Sequence, residues 1–182
     1  MGTAAVSTRS LSLRQSNGRI ANTVADLLRK KLTVPEIYLR PRILGLAGVD
    51  VLAVDHAGSG DIHGVKILFG QDAPKAIGLA SLFTRLKAMP LHFKYLAVPQ
   101  SIVDIPTVYE AFSGVRAFDA QGIGRIGLIC YAASLTEGDV PLLSDGGATL
   151  LIRPERFLLR GEKLETMERF IAKAKPDIAV RI

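Results

Sequence analysis

Two apolar runs rich in β-branched residues, Val-Asp-Val-Leu-Ala-Val-Asp at 49–55 and Ile-His-Gly-Val-Lys-Ile-Leu-Phe at 62–69, stand on either side of His-Ala-Gly-Ser-Gly-Asp at 56–61. Such runs suit pleated, half-buried strands and the Gly/Ser/Asp cluster suits a turn, so the segment predicts a β-hairpin. With a period of two, Asp50 shares a face with Leu52 and Val54, and Lys66 shares one with Gly64 and Leu68. A turn centred near Gly58 then sets Asp50 opposite Lys66. Two charges inside apolar strands require a partner, water or an ion, because an unpaired charge withdrawn from water is costly. An ordinary ion pair at a strand edge meets that requirement as well as a functional site does.

The rest of the chain surrounds this hairpin with helical and strand patterns. Ile20, Val24, Leu27, Leu28 and Leu32 recur at helical spacing, with Arg29, Lys30 and Lys31 in the last turn, where cations favour the helix dipole. Pro35 and Pro41 interrupt the next stretch, so 36–44 reads as an irregular or edge strand. After the hairpin, Gln71 and Asp72 offer a cap and Pro74 a first turn for a helix that carries Ile77, Leu79, Leu82, Phe83 and Leu86 and ends before Pro90. A central strand at 92–98, a short helix at 106–112, strands at 126–133 and 148–152, and an amphipathic helix at 162–175 complete the pattern. That order predicts an α/β protein with a mixed central sheet flanked by helices. Residues 1–16 lack periodicity and are rich in Ser, Thr and Arg, so they read as a basic, flexible arm ahead of one domain at 17–182.

Charge is unevenly distributed. Residues 1–42 hold eight Lys and Arg against Asp26 and Glu36, a surplus equal to the whole formal net charge of +6. The other 140 residues carry fifteen charges of each sign. A basic arm and first helix on a neutral body could follow a phosphate backbone, which makes Arg19, Arg29, Lys30, Lys31, Arg40 and Arg42, with Lys75 beyond the hairpin, candidate nucleic-acid contacts. A solvated, solubilising surface explains the same residues equally well.

Several other classes of chemistry are unsupported. There is no Walker-type phosphate loop, and Gly122-Ile-Gly124 precedes a strand instead of opening a helix. Gly58-Ser59-Gly60 lies in the hairpin turn, so it is not a nucleophile elbow. Cys130 is the only cysteine, which removes an intrachain disulfide or a cysteine cluster and fits a reducing, cytoplasmic location. No run approaches the roughly 20 apolar residues of a membrane span. His56, His63, Asp55 and Asp61 gather at the hairpin tip, either as a transition-metal site or as solvated turn residues.

On these residues the chain resembles the PD-(D/E)XK nuclease superfamily, over roughly 17–152. In that family a helix precedes a hairpin whose first strand supplies a metal-binding Asp and whose second supplies an acid, a spacer and a Lys; a helix and a strand come next. Asp50 matches the first position and Lys66 the lysine, while Gln71 and Lys75 are looser matches to a polar residue in the next helix. The resemblance implies a restriction-endonuclease-like core, Asp50 and Lys66 as catalytic residues, Mg²⁺ as cofactor and DNA or RNA as partner. The carboxylates would hold the metal, which acidifies a water and stabilises charge on the attacked phosphate, and the lysine would orient the nucleophile.

One position departs from the pattern. Two residues before Lys66 stands Gly64, which has no ligating side chain. Asp61 or Asp55 could supply the second ligand only if a bulge at Gly60 or Gly64 turned it to the correct face. The sequence thus carries three expectations: a weak Mg²⁺-dependent phosphodiesterase, a catalytically inactive nucleic-acid-binding descendant, or an interaction module that keeps the fold and works as a homodimer or beside a partner subunit.

Overall fold

The computed structural model describes residues 4–33, 35–41, 48–55, 60–69, 76–103, 125–135, 141–159, 161 and 165. Among these residues six strands form one sheet in sequence order: β1 (Glu36–Leu39), β2 (Val51–Val54), β3 (Ile62–Ile67), β4 (Phe93–Pro99), β5 (Gly127–Leu135) and β6 (Pro141–Ile152). The first three form an antiparallel meander, β3–β4 and β4–β5 are parallel, and β5–β6 is antiparallel. A parallel step needs a crossover, and α2 (Ala76–Ala88) supplies it between β3 and β4.

The sheet is mixed because two antiparallel steps are followed by two parallel ones and a last antiparallel one, and its two faces are covered by different helices. From α1 (Ala4–Lys31), Ile20, Ala21, Val24, Ala25 and Leu28 pack on Val51, Ala53, Val65, Ile67, Tyr95, Ala97, Ile129 and Tyr131. These are alternate residues of each strand, as the period of two demands. The opposite face carries Leu68, Leu96, Val98, Leu128 and Ile152 against Leu82, Phe83 and Leu86 of α2. Because both faces are covered, β2 and most of β3 and β4 are buried at nearly every residue.

The expected hairpin is present as β2 and β3, with Val51 opposite Val65 and Val54 opposite Ile62. The first helix starts earlier than its hydrophobic spacing suggested: α1 begins at Ala4, within the segment expected to be a flexible arm. Apolar periodicity marks the part of a helix that packs, and the spacing legible in this sequence begins at Ile20. β6 is also longer than the expected 148–152. A four-residue helix, α3 (Gln100–Val103), follows β4 directly. The helices expected at 106–112 and 162–175 lie essentially outside the described residues. No described helix is long and apolar enough to cross a membrane.

Candidate functional site

Hairpin register places Asp50 opposite Lys66, as the position of the turn predicted. Lys66 Nζ donates to Asp50 Oδ2 at 2.9 Å, and the same oxygen accepts the Ile67 backbone N–H at 2.8 Å. The side chains are 13% and 25% exposed for Asp50 and Lys66, so the pair is partly shielded from water. Its backbone is held from both neighbouring strands. Asp50 N–H donates to the Val65 carbonyl at 2.9 Å, and the Asp50 carbonyl accepts the Arg40 N–H at 2.7 Å. Arg40 turns the chain at the end of β1 with φ of 47°, in the left-handed region. Asp50 is thus a cross-strand clamp joining β1, β2 and the end of β3.

Position 64, where the resemblance led to the expectation of an acid, is sterically closed. A Cβ at Gly64 would lie 2.3 Å from Leu91 Cδ1 and 3.2 Å from Leu91 Cδ2. Leu91 is fully buried among Val49, Leu52, Val54 and Ile62, so the space an acidic side chain would use is filled by a leucine from the α2–β4 connection. Neither tip carboxylate replaces it. Asp61 precedes β3 at the opposite end of the hairpin, five residues from Lys66. At a strand rise of about 3.3 Å per residue that separates it from the Asp50–Lys66 pair by about 16 Å. Asp61 and Asp50 therefore do not share a metal site, contrary to the pairing expected from the sequence.

Asp61 instead accepts from Arg156, Nε at 2.9 Å and Nη2 at 2.8 Å, and lies 3.6 Å from His92 Nδ1. This second polar group holds His63, His92 and Tyr95 as well. His63 stacks on Phe93 with ring centroids 4.6 Å apart, and its Nδ1 is 3.0 Å from the Tyr95 hydroxyl. Burial pushes the His63 pKa down to about 4, outweighing the attraction of Asp61 and Asp55. One Asp55 oxygen, Oδ1, is buried without a hydrogen-bond partner. His56 lies outside the described residues, and among those described no three His, Cys, Asp or Glu come together as a metal-binding group. Residue spacing does not join His92, Tyr95 or Arg156 to the tip; the one available signal is the set of polar residues, His92, Lys94 and Tyr95, inside an otherwise apolar strand.

The basic candidates divide by position. Arg19, Lys30, Lys31 and Arg40 are exposed, and Arg29 pairs with Asp26 at 2.6 Å. Lys30 and Lys31 end α1, and the chain passes from there to Glu36, which is paired with Val54 at the end of β2 away from Asp50. Arg40 is the described member of the set at the Asp50 end. Arg42 and Lys75 lie outside the described residues. No family model, curated protein or solved structure matches the chain.

This geometry can be probed by substitution and by pH. Gly64→Ala should lower unfolding free energy by about 1–3 kcal/mol in urea titrations, the usual cost of overpacking a rigid core, and Leu91→Ala should reduce that penalty in the double variant. Asp50→Ala should cost about 2 kcal/mol by stranding the Ile67 N–H and the Lys66 ammonium, and Asp50→Asn less, because an amide oxygen can still accept. The unfolded His63 imidazole, near 6.5, takes up its proton before the folded one at about 4, so stability falls as pH drops through that window. The loss is about 3 kcal/mol, and His63→Gln should flatten that part of the stability–pH curve.

Proposed function

We propose that this chain is a nucleic-acid-binding domain of nuclease-like fold in which the former catalytic hairpin now serves as a structural clamp. The observation that carries the reading is the filling of the Gly64 position by Leu91 beneath an intact Asp50–Lys66 pair. The order helix, hairpin, crossover helix and parallel strand supports the resemblance, and Asp50 and Lys66 stand in register across the hairpin. Hard divalent cations are held by several oxygen ligands, commonly one or two carboxylates with water and phosphate oxygens. Asp50 offers one carboxylate, and its Oδ2 already accepts two hydrogen bonds. Mg²⁺-dependent phosphodiester cleavage is accordingly the weaker of the two nuclease-like readings.

The basic surplus of residues 1–42 supports phosphate contacts. Arg19 and Lys30 lie eleven residues apart on the exposed side of α1, about 16 Å along its axis, a spacing that can follow a phosphate strand. A partner-protein reading draws on a different observation, the exposed Leu151 and Leu158 at 43% and 52%.

Binding to a fluorescent DNA duplex and to single-stranded RNA at about 50 mM salt should be detectable by anisotropy and should weaken as salt rises. Neutralising Lys30 and Lys31 together with Gln should reduce the salt slope by about 2. Absence of binding to both probes at low salt would sink the nucleic-acid reading. Cleavage in Mg²⁺ or Mn²⁺ that disappears in Asp50→Ala would show that the hairpin is still catalytic.

A further inference from the structure

After β6 the chain runs through residues 153–159 without regular structure and lies against the beginning of the parallel strands. Glu155 N–H donates to the Arg125 carbonyl at 2.9 Å, and Phe157 N–H donates to the His92 carbonyl at 2.8 Å. Arg156 holds Asp61 through its Nε and Nη2. Phe157 is buried beneath this strap, with Lys94 Nζ 3.9 Å from its ring centroid.

His92 meets both the strap and β3. Its Nδ1 accepts the Ile62 backbone N–H at 3.0 Å. A neutral imidazole that accepts at Nδ1 carries its hydrogen on Nε2, so the next proton must enter at Nδ1. That proton turns the acceptor into a donor and sets it against the Ile62 N–H. Among the described residues, Asp61 Oδ1, 3.6 Å away, is the carboxylate oxygen close enough to receive it, and the same oxygen holds Arg156.

We propose that Asp61, His92 and Arg156 form an acid-opened latch: a proton taken from solvent at His92 Nδ1 redirects Asp61 from Arg156 to the imidazolium and releases the strap at 153–157, uncovering Phe157 and Lys94. Among the described residues, the charged and titratable groups facing His92 are Asp61 just before β3, Arg156 from the strap and His63 from β3. Lys94, on β4, directs its ammonium to the Lys87 carbonyl at the end of α2 at 2.6 Å. Burial and Arg156 hold the His92 pKa below its ordinary value against the pull of Asp61, so the latch is closed at neutral pH. The latch works through exclusive hydrogen bonding at one nitrogen, which distinguishes it from the general acid instability contributed by His63.

The test is amide hydrogen exchange at Phe157, corrected for intrinsic pH dependence, alongside an NMR titration of the His92 ring in the full chain. Protection should fall by at least about tenfold with the midpoint of His92, while a central amide such as Leu96 changes less. His92→Asn keeps an acceptor near the Ile62 N–H and cannot take the proton, so Phe157 protection should stay flat. Asp61→Asn should leave the strap poorly protected at every pH. Unchanged Phe157 protection across the His92 midpoint in the unsubstituted protein would overturn the latch. Acid loss of protection in His92→Asn equal to that of the parent would do the same.

Discussion

Strands β2, β3 and β4 lie between two helical layers, so nearly every side chain on them is removed from water. Apolar residues gain from this, and Val51, Leu52, Val65, Ile67, Leu96 and Ala97 are each at most 1% exposed. A polar group in the same position has to find a partner within the protein, because its hydration has been stripped away. That constraint explains the polar geometry at both ends of the hairpin. Lys66 meets Asp50, Asp61 meets Arg156, His63 meets Tyr95, and Lys94 meets the Lys87 carbonyl and the Phe157 ring.

The two ends use their polar groups differently. At the Asp50 end the charges join three neighbouring strands within one meander, and the space beside Gly64 is filled by Leu91. Filling that position with a leucine completes a small apolar cluster with Val49, Leu52, Val54 and Ile62. A metal site demands an oxygen-lined space, and close packing here leaves none beside Gly64. At the Asp61 end the partners come from the start of β4 and from the strap beyond β6, so the contacts bind distant parts of the chain into one unit. Imidazole at that end accepts at Nδ1 when neutral and donates there once protonated, the change on which the proposed latch rests.

Much of the fold was legible in residue spacing. Alternation at 49–55 and 62–69, with glycines between them, was enough to pair the strands and to set Asp50 against Lys66, because a hairpin is a local structure whose register depends on its own turn. The α1 core residues from Ile20 to Leu28 and the α2 residues Leu82, Phe83 and Leu86 were likewise marked by their helical period. The extension of α1 back to Ala4 was not, since the residues ahead of Ile20 carry no apolar stripe from which a helix could be read.

Sequence alone therefore determined the α/β class, the hairpin, the facing charges and the absence of a side chain at position 64. Tertiary structure decided what that absence means. Leu91 reaches Gly64 only because the crossover through α2 returns the chain beside β3, and spacing along the sequence carries no information about such an approach. The same holds for Asp61, whose partner Arg156 is 95 residues away, and for the Ile62 N–H, which finds His92 across 30 residues. Local periodicity records which face of an element is buried; the identity of what buries it depends on long-range packing, and in the hairpin that difference separates a ligand position from a filled core.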